Sequence, residues 1–296
     1  MAGLTAAAAR KAGRALVCAA ALVLVFLFLR RMPVAGIAAA LRGAEPLWFA
    51  LALAVYLTVN TAAKVQRWAA LLRPVARSGP AAGGVELAKI LLASQATSNL
   101  LPARAGEAVR VVELRRRGYA VPGLLAAQLL EKVVEAASLC LLSGVAAAAA
   151  GMPPIFRVPV WSVALLGGAL VVLVALLPLV RSTPAVWPRS LLWSCASDLA
   201  DAAVLGLCLQ AAGVHLGPAA WLVVLLAINL AILLPSTPGH LGVVEAAAGA
   251  SLIALGVPAE RALAGAVLYH AVQIVPSTVL GLAVLRKRWT RQRSPA

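Results

Sequence analysis

Glu131 and Glu135 stand four residues apart in an otherwise apolar run, so on a helix they share one face with Gln128, while Lys132 lies about 100° around it. Asp198 and Asp201 are three apart in a second apolar run. Glu245 follows a glycine-containing interruption, and His270 with Gln273 lies inside a further run. An ionisable side chain in a bilayer costs at least about 2.5–3.5 kcal/mol, so such residues face a protein interior or a wet cavity. Carboxylates held there can load and release protons, or receive a cationic or zwitterionic group. Each also has a structural reading: Glu131 and Lys132 near an interface, His270 as a packing histidine with its hydrogen bonds met.

Two interruptions carry more chemistry than any single acid. Residues 85–101 hold Glu86, Lys89, Ser94, Gln95, Thr97, Ser98 and Asn99, then continue as LLPARAGEAVR; residues 221–234 are apolar but stop at LLPSTPGHLGVVE. Leu101, Pro102 and Gly106 have the spacing of Leu234, Pro235 and Gly239, so LPxxxG occurs twice, near corresponding points of two halves. A helix broken at membrane depth presents bare N–H or C=O groups that bind ions and phosphates. In the second break, Gly239 and Gly242 permit close backbone approach and Ser236 and Thr237 offer hydroxyls, the makings of a phosphate cradle. In the first, Arg104, Glu107 and Arg110 are three apart, so on a helix the two bases flank a carboxylate, either as a headgroup site or as a salt-bridged helix start.

The elements that must position these residues follow from composition. The chain has 296 residues, 62% hydrophobic and 12% charged, with mean hydropathy +0.95. A soluble domain carries about twice that charged fraction. Apolar runs near twenty residues, rich in Ala, Leu and Val, match the length a helix needs to cross about 30 Å of hydrocarbon, without the alternation of an outer-membrane barrel. Full spans are expected at 15–29, 46–63, 121–150, 158–180, 190–212 and 261–285. The first could pass for a signal peptide, but Arg30 and Arg31 stand where a cleavage site should be. If each break is the tip of a re-entrant hairpin, three full spans remain in each half, and an odd number inverts one half relative to the other. The expectation is one all-α polytopic membrane domain over residues 1–296, with six full spans and two re-entrant helical hairpins in an inverted pseudo-repeat. Its halves are about 15–150 and 158–285, followed by a basic cytoplasmic tail, 286–296.

Charge agrees with this arrangement. With both termini in the cytoplasm of a cell-membrane protein, eighteen of the 26 basic residues fall inside, among them Lys64 and Arg67, and five outside. The formal charge of +16 is therefore assigned to topology and anionic lipid, not to nucleic acid. At depth, Glu107, Glu131, Glu135, Asp198, Asp201 and Glu245 outnumber Lys89, Arg104 and Lys132, which suits a cationic or zwitterionic headgroup or a proton-coupled cycle. Cys18, Cys140, Cys195 and Cys208 lie in apolar runs without ligand spacing. HExxH, GxSxG and P-loop motifs are absent from the sequence, so no cofactor, metal or catalytic residue is expected.

SNLLPARAGEAVR, the EKVVE run after it and LLPSTPGHLGVVEAA resemble the lysylphosphatidylglycerol synthase transmembrane family, and the likeness covers nearly the whole chain. The resemblance implies a flippase-like domain that moves a lipid or lipid-linked headgroup between leaflets. By motif it carries over Asn99, Pro102, Arg104, Gly106, Glu107 and Arg110, then Glu131 and Lys132, and the core Pro238, Gly239, Gly242 and Glu245. His240 departs from the small residue or Gly that the family commonly shows. A soluble synthase is absent from the sequence, so aminoacyl transfer by this chain is not expected. The partners implied are membrane lipids, with a separate lipid-modifying enzyme as a further one. The competing readings are a membrane transferase, which would need a donor site, and a scaffold subunit for such an enzyme.

Overall fold

The computed structural model describes residues 34–75, 82–101, 105–151, 186–233 and 237–293. Among them the secondary structure is helical, with no strand. The α-helices are α1 (Val34–Arg42), α2 (Pro46–Val55), α3 (Thr61–Leu72), α4 (Gly84–Leu100), α5 (Ala105–Arg115), α6 (Val121–Ala149), α7 (Val186–Ala211), α8 (Pro218–Ala231), α9 (Val243–Ala254) and α10 (Ala259–Arg293). Pro46 and Pro218 open α2 and α8, where an N–H would be unpaired in any case.

Four helical segments are long and apolar enough to cross a membrane: Pro46–Val75, Val121–Ala149, Val186–Ala211 and Ala259–Lys287. They correspond to four of the six spans expected from the sequence; those at 15–29 and 158–180 lie outside the described residues. One boundary is corrected. The second span does not stop at Ala63 but continues through α3 to Val75, carrying Lys64, Arg67 and Trp68 with it. Arg67 and Trp68 are each only 2% exposed, so they are not the interfacial residues that the sequence suggests. Burial is tolerated because α6 and α7 bring partners to the guanidinium, which hydropathy alone does not reveal. Removing Lys64 and Arg67 from the cytoplasmic set leaves the charge asymmetry in place.

A π-helical turn, Tyr56–Asn60, joins α2 to α3. The Thr61 hydroxyl donates to the Tyr56 carbonyl at 2.9 Å, supporting the wider turn. Such turns re-aim side chains and recur at functional sites. Here the Tyr56 hydroxyl reaches the Gln273 carbonyl on α10 at 3.2 Å, and the Asn60 amide reaches the Ser197 carbonyl on α7 at 3.3 Å.

At the first interruption the chain doubles back. Ser98 meets Gly106, Ser94 meets Arg110 and Glu86 meets Arg117, pairings whose register only an antiparallel α4/α5 hairpin satisfies. The tip is tight: a Cβ on Gly106 would fall on the Ser94 carbonyl, so only glycine fits. Gly281 plays the same part where α10 crosses α4 at Leu92 and Ala96. At the open end, burial works against the Arg117 charge, but hydrogen bonds to Glu86 and Glu113 outweigh it and hold its pKa above the ordinary value. The second interruption is flanked by α8 and α9, which pack on each other and, at 14 and 12 residues, are about 21 and 18 Å long. Neither spans about 30 Å of hydrocarbon alone.

Two apolar cores hold these parts. One joins the α4/α5 hairpin to α3 and α6 through Trp68, Leu71, Ile90, Leu114 and Leu124. The other surrounds α7, with Leu205, Leu209, Leu225 and Leu252 bringing in α8 and α9. The hairpin and the second break thus belong to separate packing units, and they meet over α10.

Candidate functional site

Three polar groupings are built from these elements. In the first, Glu131 of α6 is 3% exposed and uses both carboxylate oxygens: Oε1 faces Arg67 Nη2 at 2.9 Å and Oε2 faces Arg110 Nη1 at 2.8 Å. Arg67 also approaches Glu135 at 3.6 Å and donates to the Ser194 hydroxyl at 3.3 Å. Arg110 donates through Nε to Ser94 Oγ at 3.0 Å and lies 4.9 Å from the Trp68 ring centre. The Gln128 amide donates to the Glu107 carbonyl at 2.9 Å. This cluster fastens the hairpin to α3 and α6. The spacing argument pairs Arg110 with Glu107 on its own helix; the structure sends it across to Glu131. Lys132 is half-exposed and pairs with Glu135 at 3.4 Å.

In the second grouping, Asp198 and Asp201 part company although they are three apart on α7. Asp198 accepts from the Ser138 hydroxyl of α6 and looks toward the arginine cluster. Asp201 accepts from the Gln273 amide at 2.9 Å, stands 3.9 Å from Lys64 Nζ, and lines a cavity.

The third grouping is the second break. The turn Pro238–His240 places Gly239 at φ +63° and Gly242 at φ +82°, left-handed backbone that glycine adopts without strain. His240 shares that region, at φ +56°. Thr237 donates to the Leu241 carbonyl within the turn. Gly242 N–H donates to Glu245 Oε2 at 2.7 Å, and Glu245 Oε1 lies 2.6 Å from His270 Nδ1, whose Nε2 reaches the Gly239 carbonyl at 2.9 Å. The seat expected for a phosphate at the start of α9 is therefore held by the chain's own carboxylate. This is one half of a capping box, since glycine has no side chain to return the bond, and it takes the Gly242 donor away from the cradle reading.

The two breaks meet. Asn99, at the end of α4, donates its amide hydrogens to Ser277 Oγ at 3.1 Å and Thr278 Oγ1 at 2.9 Å on α10. A Cβ on Gly239 would stand 3.2 Å from the Asn99 carbonyl. Between them is a polar cavity of about 130 Å³, lined among others by Lys64, Asn99, Asp201, Gly239, His270 and Gln273. That volume holds a few waters, at about 30 Å³ each, and falls short of the 300 Å³ or more of ordinary ligand sites.

Of the residues picked out by sequence, Asn99, Asp201, Gly239 and, through His270, Glu245 converge here. Glu107, Arg110, Glu131, Lys132 and Asp198 belong to the hairpin-fastening side, and Arg104 and Ser236 lie outside the described residues. Lys89 lies at the open end of the hairpin, on a groove rimmed also by Arg116, Arg117 and Lys287. Lys64 and Tyr56 are cavity residues that sequence reasoning missed; Lys64 directly follows the span's expected end at Ala63 and reads there as an interfacial base. Adding Lys64, Arg67 and Arg110 also changes the charge count at depth. In the cluster, Lys64, Arg67, Arg110 and Lys132 balance Glu131, Glu135, Asp198 and Asp201, so the acid excess inferred from sequence no longer selects a cationic headgroup.

The family model for the lysylphosphatidylglycerol synthase TM region matches residues 14–182 and 178–281. No curated protein matches the chain.

Proposed function

We propose that this chain, which belongs to the lysylphosphatidylglycerol synthase transmembrane family, carries a phospholipid or lipid-linked headgroup between the leaflets of the cell membrane without making or breaking a covalent bond. The observation that carries this reading is the polar cavity where the two breaks meet, lined among others by Asp201, Lys64 and Gln273. A headgroup crossing the bilayer needs polar partners at depth while its acyl chains stay in lipid. Asp201 and Lys64, at 3.9 Å, are paired loosely enough to exchange each other for an ammonium and a phosphate of one zwitterionic headgroup. Opening is supplied by the two hairpins moving apart over α10. The arrangement is six full spans with two re-entrant hairpins in inverted halves, 15–150 and 158–285, and both termini in the cytoplasm.

Leaflet exchange of a labelled phospholipid in vesicles holding the purified protein tests this directly. Exchange faster than in protein-free vesicles is expected. Rates equal to those of empty vesicles would leave the scaffold role for a separate lipid-modifying enzyme. The topology has its own check: reporter fusions after Arg293 and near Pro153 should signal opposite sides, and signals from one side would remove the arrangement.

A further inference from the structure

The second break is tied to α10 by a histidine whose hydrogens can be counted. A carbonyl only accepts, so His270 Nε2, at 2.9 Å from the Gly239 oxygen, carries a hydrogen. Nδ1 then faces Glu245 Oε1 at 2.6 Å, and two lone pairs do not approach so closely without a proton between them. Glu245 uses its other oxygen on the Gly242 N–H. The pair holds one exchangeable proton, whether it resides on the ring or on the carboxyl.

We propose that Glu245 and His270 form a proton-binding site that latches the second break shut against the first, and that losing this proton releases the Gly239 tip. With the proton gone, the neutral ring has one hydrogen for two acceptors and gives it to the stronger, the carboxylate, leaving a bare Nε2 lone pair against the Gly239 oxygen. Glu245 is fixed by the Gly242 N–H at the start of α9, so it keeps the bond from Nδ1, and the Gly239 carbonyl loses its donor. A second proton would leave both ring nitrogens donating, so the latch opens toward high pH only. The other titratable or charged groups around this cavity are Lys64 of α3, Asp201 of α7, Tyr56 of the π-turn, Tyr269 of α10 and His240 of the tip. None of these lies between His270 and Glu245. The consequence for lipid exchange rests on the function proposed above; the proton site itself does not.

The test uses the full chain, with ¹⁵N-labelled histidine, in lipid nanodiscs. Its three histidines, His215, His240 and His270, give resolvable ring signals. In the wild type, His270 should hold hydrogen at Nε2 at low pH, and once the pair has given up its proton with rising pH the ring's one remaining hydrogen should be on Nδ1. Hydrogen exchange across residues 237–246, corrected for the intrinsic pH effect, should then quicken about tenfold, the factor that loss of one such hydrogen bond gives. Glu245→Gln keeps an acceptor for Gly242 and offers an amide N–H to Nδ1, so both responses should become flat with pH. A wild-type His270 that lacks hydrogen on Nε2 at low pH would overturn the proposal, as would tip protection that ignores the titration; neither result depends on the variant folding. Should titration and tip exchange behave as stated while vesicles show no lipid exchange at any pH, the latch stands and the transport reading falls.

Discussion

Glu131→Gln is expected to destabilise the folded protein by about 3–5 kcal/mol, the range found when one partner is taken from a buried ion pair. The carboxylate is 3% exposed and is shared by Arg67 and Arg110, so one substitution strands two guanidinium groups, one of them only 2% exposed. An amide offers a single weaker acceptor in place of two charged oxygens. The hairpin should loosen from α6, and the purified variant should unfold at a much lower temperature in detergent. Arg116→Gln is the comparison. That side chain is 60% exposed, its ion pair to Glu113 is 3.6 Å long, and pairs of this kind contribute about 0–1 kcal/mol. Equal stability of the two variants would show that the cluster does not hold the hairpin in place.

The largest effect on transport is expected at Gly239→Val. The residue sits at φ +63°, where a β-branched side chain is strained, and its Cβ would press at 3.2 Å on both the Asn99 carbonyl and the Ile274 side chain. Strain of a few kcal/mol raises the arrangement in which the two breaks touch, and a cycle that must return to that arrangement slows by at least about tenfold. Backbone strain alone is controlled by Gly118→Val, which has φ +86° and no neighbour within 4 Å of the added Cβ. At matched amounts of folded protein, lipid exchange should collapse in the first variant and persist in the second. Wild-type exchange from Gly239→Val would take the tip out of the mechanism.

What the sequence makes legible follows from what each signal measures. Runs of Ala, Leu and Val report the transfer free energy of a span, so α6 and α7 appear within a few residues of their expected limits, while α10 starts where expected and continues as helix to Arg293. The two LPxxxG breaks are equally readable, because proline and glycine act on the local backbone. Pairings between helices leave no such trace. Lys64 and Arg67 look like the basic end of a span, and only the approach of Glu131, Glu135 and Asp201 from other helices turns that end into buried helix. Asp198 and Asp201 share a spacing but face opposite neighbours, Ser138 on one side and Gln273 on the other. The phosphate cradle loses one donor for a similar reason: Glu245 lies three residues beyond Gly242, the spacing at which a carboxylate reaches back to the N–H that opens the helix. His270 looks undecided between packing and chemistry in sequence, and its two bonds to the second break give it a position in both.

One measurement bears most directly on the central claim that a headgroup crosses where the two breaks meet. Vesicles containing wild-type protein, Gly239→Val or Gly118→Val are loaded with a labelled zwitterionic phospholipid, and the fraction reaching the opposite leaflet is followed with time. The account predicts fast exchange for wild type and Gly118→Val, with Gly239→Val at least about tenfold slower. Exchange at the protein-free rate in all three, or the same fast rate in all three, would contradict it.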